Sequence, residues 1–244
     1  FHEMLSQSVE CLADLNAVLL KAKDKDVVFF DEAHLLPSEI QTALYLAIDK
    51  KMIFVPGSKS VQGIPIADHT LLLASTHEFS IQEPLRDRCR LILRFQHYSP
   101  EDLTEILKHR VRGLRWEVDD EGLPMIAARS KGTPRLALRL LQSCRRVARS
   151  EGKWRITASY FDKACNLESI DSLGLGPIEK QYLQIVAQKP TRLNVLSSLL
   201  ALPSRTISEV TEPILIRLGL LTKDNQGRRC LTAKGHEHLS HSSE

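Results

Sequence analysis

The chain has 244 residues, with 43% hydrophobic side chains, 26% charged side chains and a formal net charge of +3. This composition is ordinary for a globular protein and excludes a disordered or fibrous chain. The apolar runs are far shorter than the roughly 20 residues that cross a bilayer, so none is a candidate membrane span. Five cysteines without C-x-x-C spacing indicate a reduced, intracellular compartment, and we expect a cytoplasmic protein.

The first elements predicted along the chain are a helix and a buried strand. Residues 3 to about 22 carry leucine and valine at helical spacing. The apolar residues 27–30 then lead directly into Asp31 and Glu32, which is typical of a parallel strand buried on both faces. Ligands of such sheets bind beyond the carboxyl ends of the strands, so the two acids indicate a magnesium and nucleotide site. Two solvated acids after a strand are the alternative.

A second helix beginning near Pro37 precedes an apolar hairpin. Residues 52–56 and 63–66 read as its two strands, with a polar tip that contains Ser58, Lys59, Ser60 and Gln62. Apolar strands are unusual in a surface loop. The hairpin is therefore either an edge hairpin or a projecting arm that binds a partner.

Two more strands are predicted at 71–76 and 91–95, and the first of them ends in Thr76. A short polar helical turn between them carries Arg86 and Arg88. Two buried strands that flank exposed arginines indicate a site at the rim of the domain.

From Ser99 to about Leu167 the pattern is helical, with Ser99 as a strong N-cap. Thr133 and Pro134 begin a basic helix, and no acid lies between Gly122 and Ser150. After a short linker, three further helices and a hairpin with a basic turn match the pattern of a winged helix, which commonly binds DNA. We expect Arg205, Arg228 and Arg229 to contact DNA. A winged helix that binds protein is the alternative.

Four features occur in one order: the D-E pair, Thr76, Arg88, and Gly132-Thr133-Pro134-Arg135 at the start of a helix. Phosphoryl transfer requires these parts, namely a metal ligand, a polar group that orients water, and cations for the developing phosphate charge. Each feature alone is weak, but their joint order indicates a nucleotide-hydrolysing enzyme.

The stretches VVFFDEAH, ALYLAID, PLRDRC, SPEDL, GTPRLALRLL, GLGPIEKQYL and EPILIRLGLL together resemble the RuvB family, the AAA+ motors of bacterial Holliday-junction branch migration. The resemblance covers almost the whole chain. It implies an α/β P-loop AAA+ core over 1–97, an all-α lid over 98–170 and a winged-helix DNA-binding domain over 171–244. It also implies ATP and Mg²⁺ as cofactors, a hexameric ring, and recombination and repair of DNA as the process served.

The same resemblance assigns roles to single residues. Asp31 is the implied magnesium ligand, Glu32 activates water, and Thr76 occupies the sensor-1 position. Arg88 falls at the arginine finger that reaches a neighbouring subunit's ATP, and Arg86 could share that role. Arg135 matches sensor 2, and Pro134 begins its helix. The hairpin 52–66 corresponds to the arm through which the family binds RuvA.

The departures from the family concern mostly the nucleotide site. The 244 residues contain no G-x-x-x-x-G-K-S/T motif, so the phosphate-binding loop and its lysine are missing. Because that loop precedes the D-E strand in the family, we interpret the chain as a truncated product that by itself is inactive and binds ATP poorly. The hairpin is shorter than expected, and Cys89 replaces an aromatic residue.

Three other hypotheses are considered. D-E-A-H also occurs in DEAH-box helicases, but their late motif rich in glutamine, arginine and glycine is absent. A degenerate AAA+ or clamp-loader-like adaptor would bind DNA without hydrolysing ATP. The histidines at 236, 238 and 241 could form a metal site, although in a polar tail we expect them to be solvated.

Overall fold

The computed structural model of the chain describes residues 1–56, 61–119 and 121–241. It divides into two compact units, Phe1–Arg94 and Phe95–Glu244. Buried apolar residues form one core cluster in the first unit and two in the second. In these described ranges, no helix is long and apolar enough to cross a membrane.

The first unit is built on a three-stranded parallel sheet in the order β1 (His2–Leu5), β2 (Val27–Asp31), β5 (Thr70–Leu73). The middle strand is β2, in which Val28 and Phe30 are fully buried while Val27 and Phe29 are half-buried. The strand is thus more deeply buried on one face than on the other. In the parallel register Phe30 lies opposite Leu73, so the acids after β2 and the polar residues after β5 meet at one edge of the sheet.

Helices α1 (Leu12–Lys21), α2 (Ser38–Lys50) and the short α3 (Glu83–Arg86) complete this unit together with a hairpin. The hairpin strands β3 (Met52–Pro56) and β4 (Val61–Pro65) pair antiparallel, which confirms the predicted hairpin. Gln62, expected in its tip, lies in β4. The predicted tip residues Ser58, Lys59 and Ser60 lie outside the described residues.

Two predictions for this unit are wrong. Residues 3–5 belong to strand β1 rather than to the first helix, which begins only at Leu12. Residues 91–95 form no strand, and Leu91, Leu93 and Phe95 are exposed. A strand needs a hydrogen-bonded neighbour, and in the described part of the chain none lies beside this apolar run. Apolar character alone therefore misidentified it.

The second unit begins with four helices, α4 (Pro100–Leu114), α5 (Gly122–Ala128), α6 (Pro134–Ser150) and α7 (Ala158–Leu167). The hydroxyl of Ser99 accepts a hydrogen bond from the Asp102 amide at 3.1 Å, which confirms the predicted N-cap. Fully buried side chains such as Leu107, Leu141 and Phe161 form the core of this helical part. We call residues 98–170 the lid.

The rest of the second unit is a winged helix. It contains α8 (Pro177–Gln188), α9 (Leu193–Leu200), a continuous helix made of α10 (Ser204–Thr206), a π-helical turn (Ile207–Thr211) and α11 (Glu212–Arg217), the antiparallel strands β6 (Leu221–Lys223) and β7 (Arg229–Leu231), and α12 (Ala233–His241). Fully buried residues including Tyr182, Leu196 and Leu215 form its core. The last helix, α12, was not predicted.

Candidate functional site

The D-E pair sits at the carboxyl end of β2. Asp31 is the last residue of the strand, and Glu32 follows it in the left-handed backbone conformation, with φ 51° and ψ 47°. The backbone N–H of Glu32 donates a hydrogen bond to Oδ1 of Asp31 at 3.0 Å. A left-handed backbone is strained for a residue with a Cβ.

The Glu32 carboxylate is linked to the end of β5. The hydroxyl of Thr76 donates to Oε2 of Glu32 at 3.2 Å, and Nδ1 of His34 lies 3.3 Å from the same oxygen. Since 43% of the Glu32 side chain is exposed, the carboxylate is both held and accessible to solvent. The structure therefore brings together three of the predicted site residues, Asp31, Glu32 and Thr76.

Three further polar residues at this edge escaped prediction as site residues. The Nδ1 atom of His34 lies 3.1 Å from the hydroxyl of Ser75, and Nδ1 of His77 lies 3.0 Å from the hydroxyl of Thr76. The two imidazole rings are 4.7 Å apart. His34 lies two residues after Glu32, and His77 lies one residue after Thr76. This closeness in sequence to predicted site residues could have identified both histidines.

The chemistry of this edge suits a magnesium–nucleotide complex. Magnesium is typically bound by one or two carboxylates together with phosphate oxygens and water. Asp31 supplies a carboxylate at the end of the strand, and only one of its oxygens accepts a hydrogen bond within the described part of the chain. A second carboxylate next to it in the chain, with a hydroxyl three residues after the end of β5, has the composition needed to orient a water molecule.

Arg88 lies just after α3 and is held by the side chain of Asp49 on α2. Its Nε and Nη2 atoms are 2.7 and 2.6 Å from Oδ2 of Asp49, and Nη1 donates to the carbonyl oxygen of Pro84 at 2.6 Å. The hydrogen bond and charge of Asp49 raise the pKa of Arg88, and Arg88 in turn lowers the pKa of Asp49. The guanidinium also lies 4.7 Å above the ring of Tyr45. Arg86 instead contacts Phe79, with its guanidinium 5.0 Å above that ring.

Pro134 and Arg135 belong to the second unit, where they are the first two residues of α6. Arg135 is exposed at this helix start. Gly132, two residues earlier, has φ +75°, and a Cβ there would come within 2.7 Å of the His97 Cβ. The Gly132 carbonyl accepts a hydrogen bond from the Tyr98 amide at 2.9 Å. The G-T-P-R sequence therefore begins α6 at a tightly packed glycine and leaves the Arg135 side chain exposed.

The three arginines predicted to contact DNA have different environments. Arg205 is exposed and pairs with Glu209 one turn later at 2.9 Å. Arg228 pairs with Asp224 at 2.7 Å within the turn between β6 and β7. Arg229 is only 8% exposed. Arg205 and Arg228 therefore lie on the surface of the winged helix, whereas Arg229 is buried.

Arg229 is part of a buried polar cluster with Glu212 and Tyr182. Its Nε and Nη2 atoms donate to the Glu212 carboxylate at 2.7 and 3.2 Å, and the Tyr182 hydroxyl donates to Glu212 at 3.2 Å. Burial acts to raise the pKa of Glu212, but hydrogen bonds from Arg229 and Lys223 hold that pKa below its ordinary value. Because its guanidinium is buried against this carboxylate, we no longer expect Arg229 to contact DNA.

The C-terminal histidines lie in helix α12 instead of a polar tail. Nε2 of His238 is 2.9 Å from Oδ2 of Asp171, and both side chains are 10% exposed. Within residues 1–56, 61–119 and 121–241, no group of three or more histidine, cysteine or acidic residues could hold a metal ion. The expectation that all three histidines are solvated is wrong for His238, because helix formation directs it toward Asp171.

A parallel α/β unit with paired acids and a threonine at its strand ends, followed by a helical lid and a winged helix, defines an AAA+ protein of the kind that carries a C-terminal winged helix. Family models match almost the whole chain. They are described as the Holliday junction DNA helicase RuvB P-loop domain over residues 3–95, the RuvB AAA lid domain over 98–171 and the RuvB C-terminal winged helix domain over 172–240.

Curated relatives and solved structures agree with these matches. The chain is 32% identical over 240 residues to the Holliday junction branch migration complex subunit RuvB of Kosmotoga olearia, covering 95% of the chain and 70% of the relative. It is 33% identical to the same subunit of Dehalococcoides mccartyi, covering 96% and 69%. The Thermotoga maritima RuvB Holliday junction branch migration motor superposes with a TM-score of 0.81 at 30% identity, covering 98% and 78%.

The chain belongs to the RuvB family. The family and the fold class inferred from sequence are thereby confirmed. The chain spans about seven tenths of the length of these curated relatives.

Proposed function

We propose that this chain is part of an ATP-driven DNA motor of the RuvB type, which promotes branch migration of Holliday junctions in recombination and repair. The observation that carries the proposal is the link between Glu32 and Thr76 beside Asp31, at the carboxyl end of a parallel sheet. The match to a family model described as a Holliday junction DNA helicase P-loop domain supports it.

In this proposal Asp31 binds the magnesium ion of ATP, and Glu32 accepts a proton from the attacking water. Thr76 orients the Glu32 carboxylate and the water through its hydroxyl. The bound ion would neutralise charge on the phosphates. The 244 residues lack a phosphate-binding loop, so we propose that this chain alone binds and hydrolyses ATP poorly, and that activity belongs to the full-length gene product.

Two arginines would sense or stabilise the γ-phosphate. We assign Arg88 to the site of a neighbouring subunit in a ring, with six subunits as the proposed number. Its present partner Asp49 holds the guanidinium against α2 within the same subunit, and a phosphate of the neighbouring site would replace Asp49 as its partner. Arg135 would report the phosphate state to the lid, and Pro134 sets the start of its helix.

DNA binding is assigned to the winged helix, with Arg205 and Arg228 as contacts to the phosphate backbone. Each is paired with an acid within four residues, and that acid is the group a phosphate would replace. The hairpin 52–66 exposes Phe54 to 44%, which supports its assignment as the arm for a RuvA-like, junction-binding protein. These partners agree with the cytoplasmic location expected from the cysteine pattern.

The test is ATP hydrolysis by the full-length gene product with and without a four-way DNA junction. We expect Glu32→Gln to lower turnover by at least about 100-fold while ATP still binds. Glu39→Gln is the matched control, since Glu39 is an exposed glutamate at the start of α2 in the same unit. Equal, measurable turnover by the wild type and Glu32→Gln would refute the catalytic assignment of Glu32. No turnover by the wild type would favour a non-hydrolysing AAA+ or clamp-loader-like adaptor.

A further inference from the structure

The segment from Arg129 to Thr133, which we call the junction segment, connects α5 to the start of α6. Lys131 and Gly132 both have left-handed backbones, with φ 53° and φ 75°. Two successive residues of this kind make a sharp, defined turn. Because α6 begins directly after Thr133, the turn determines where Arg135 is presented.

One side of the junction segment is fixed to the beginning of the lid. The Tyr98 amide donates to the Gly132 carbonyl at 2.9 Å, and the Gly132 backbone packs against His97 so closely that a Cβ would come within 2.7 Å. The segment cannot shift on this side without breaking that hydrogen bond or separating the packed backbone. Its position is therefore tied to residues 97–98.

The other side is fixed to the winged helix by a largely buried ion pair. Nζ of Lys131 is 2.5 Å from Oε1 of Glu179 at the start of α8, with only 11% and 17% of the two side chains exposed. The other carboxylate oxygen, Oε2, accepts a hydrogen bond from the Gly176 amide at 3.1 Å. Glu179 thus caps its own helix and holds the lid at the same time.

Two backbone contacts strengthen this attachment. Nη2 of Arg217, at the end of α11, donates to the Lys131 carbonyl at 2.6 Å. Gly174 lies against the Arg129 carbonyl, where a Cβ would be 2.2 Å from the oxygen. The winged helix is therefore attached to the junction segment from two of its own elements, α8 and α11, as well as through the chain linker.

We propose that Lys131 is a positioning residue that couples nucleotide state to the winged helix. A movement of Arg135 toward or away from a γ-phosphate displaces the junction segment four residues earlier, and the Lys131–Glu179 pair passes that displacement to α8. The inference rests on the proposed function. Coupling between two sites is reciprocal, so DNA held by the winged helix also shifts the position of Arg135.

The experiment compares ion-pair variants in the full-length gene product. Lys131→Ala removes the cation, and Glu179→Gln removes the charge while keeping an oxygen that can cap α8. The double charge reversal of Lys131→Glu with Glu179→Lys restores an ion pair. Lys163→Ala is the matched control, because Lys163 pairs with Glu151 at the same distance of 2.5 Å but both residues lie in the lid.

Three quantities are measured: ATP hydrolysis without DNA, its stimulation by a four-way junction, and hydrogen exchange of the 174–180 amides. We expect both single variants to keep the DNA-free rate, to lose about fivefold or more of the DNA stimulation, and to exchange faster at 174–180. Charge reversal should recover the stimulation, and Lys163→Ala should behave as wild type.

Three negative outcomes are distinguishable. If the wild type hydrolyses ATP with DNA stimulation and Lys131→Ala is stimulated equally, the coupling inference is refuted and the proposed function stands. If the wild type shows no ATP hydrolysis at all, the proposed function fails, and the inference that rests on it fails too. If the 174–180 amides exchange faster but the stimulation by DNA is unchanged, Lys131 makes only a structural contact and the coupling inference is refuted.

Discussion

The hydroxyl of Thr76 donates a hydrogen bond to Oε2 of Glu32 at 3.2 Å, joining the ends of two neighbouring parallel strands. If this bond orients the carboxylate, Thr76→Val should lower the turnover of ATP by up to about 100-fold in the full-length gene product, because the shape is kept and only the hydroxyl is lost. Steady-state kinetics should show an unchanged KM for ATP. Thr76→Ser keeps the hydroxyl and should retain most activity; equal losses in both variants would contradict the role.

Arg88 gives a prediction about assembly. Arg88→Ala subunits mixed with wild type should lower ATP hydrolysis more steeply than the mutant fraction, because each Arg88 is proposed to complete a neighbour's site and one incomplete site is expected to stall the other sites of the ring. Rates measured across mixing ratios provide the check. A linear decline would exclude such concerted action of the sites, and full activity of the pure variant would exclude a catalytic role for Arg88.

Asp49, the ion-pair partner of Arg88, gives a second prediction about this arginine. Asp49→Asn removes the charge that holds Arg88 within its own subunit, so the guanidinium should move to a neighbour's phosphate more readily and the apparent affinity for ATP should rise. Nucleotide titrations of the two proteins measure this. Weaker ATP binding by Asp49→Asn would indicate that Asp49 instead positions Arg88 for catalysis.

The buried Glu212 should make the winged helix sensitive to acid. Its folded-state pKa is lowered relative to the unfolded chain, so its contribution to stability is present above the unfolded pKa of about 4.3 and is lost as the pH falls through the folded pKa. Chemical unfolding between pH 7 and pH 3 should therefore show a smaller pH dependence in Glu212→Gln than in wild type.

The same cluster predicts the cost of removing its cation. Arg229→Ala leaves a buried carboxylate without its main partner and should destabilise the winged helix by about 3–5 kcal/mol. Equilibrium unfolding measures the loss. An unchanged stability together with weaker DNA binding would instead show that Arg229 contacts DNA.

Arg205 and Arg228 should behave as phosphate contacts. Arg205→Ala or Arg228→Ala should weaken binding to junctions of unrelated sequence equally, and should reduce the slope of log affinity against log salt by about one. Arg155→Ala is the control, since Arg155 pairs with Asp119 in the lid. The slopes are measured by salt titrations of the DNA affinity. Equal slopes of log affinity against log salt for all variants would show that neither arginine contacts a phosphate.

Glycine packing at the junction segment can be tested by stability alone. Gly174 and Gly152 both have positive φ, but a Cβ at Gly174 would meet the Arg129 carbonyl at 2.2 Å, whereas none of the described neighbours lies within 4 Å of a Cβ at Gly152. Gly152→Ala should cost about 1–2 kcal/mol from its backbone alone. Gly174→Ala should cost about 1–3 kcal/mol more, from overpacking.

The main features of the fold could be read from sequence where a pattern has a single physical cause. The apolar run into Asp31 and Glu32 predicted a strand and the edge where Thr76 meets it, and Ser99 with Pro100 predicted the start of a helix. Long-range pairing was less accessible. The run 91–95 has strand composition without a strand beside it in the described residues, and β1 is too short to show a period.

Side-chain environments were the least predictable. Arg228 and Arg229 are adjacent and identical in type, yet one lies at the surface of a turn and the other neutralises Glu212 in the core. Arg228 is the last residue of the turn and Arg229 is the first residue of β7, and this boundary can be assigned only when the register of the hairpin is known. His34 and His77 likewise meet because two strands end side by side.

The left-handed backbone of Glu32 lowers the stability of the fold at a residue proposed to be catalytic. A residue with a Cβ in this conformation costs on the order of 1–3 kcal/mol, which glycine would avoid. Selection for thermal stability alone would therefore favour replacing the carboxylate proposed to activate water.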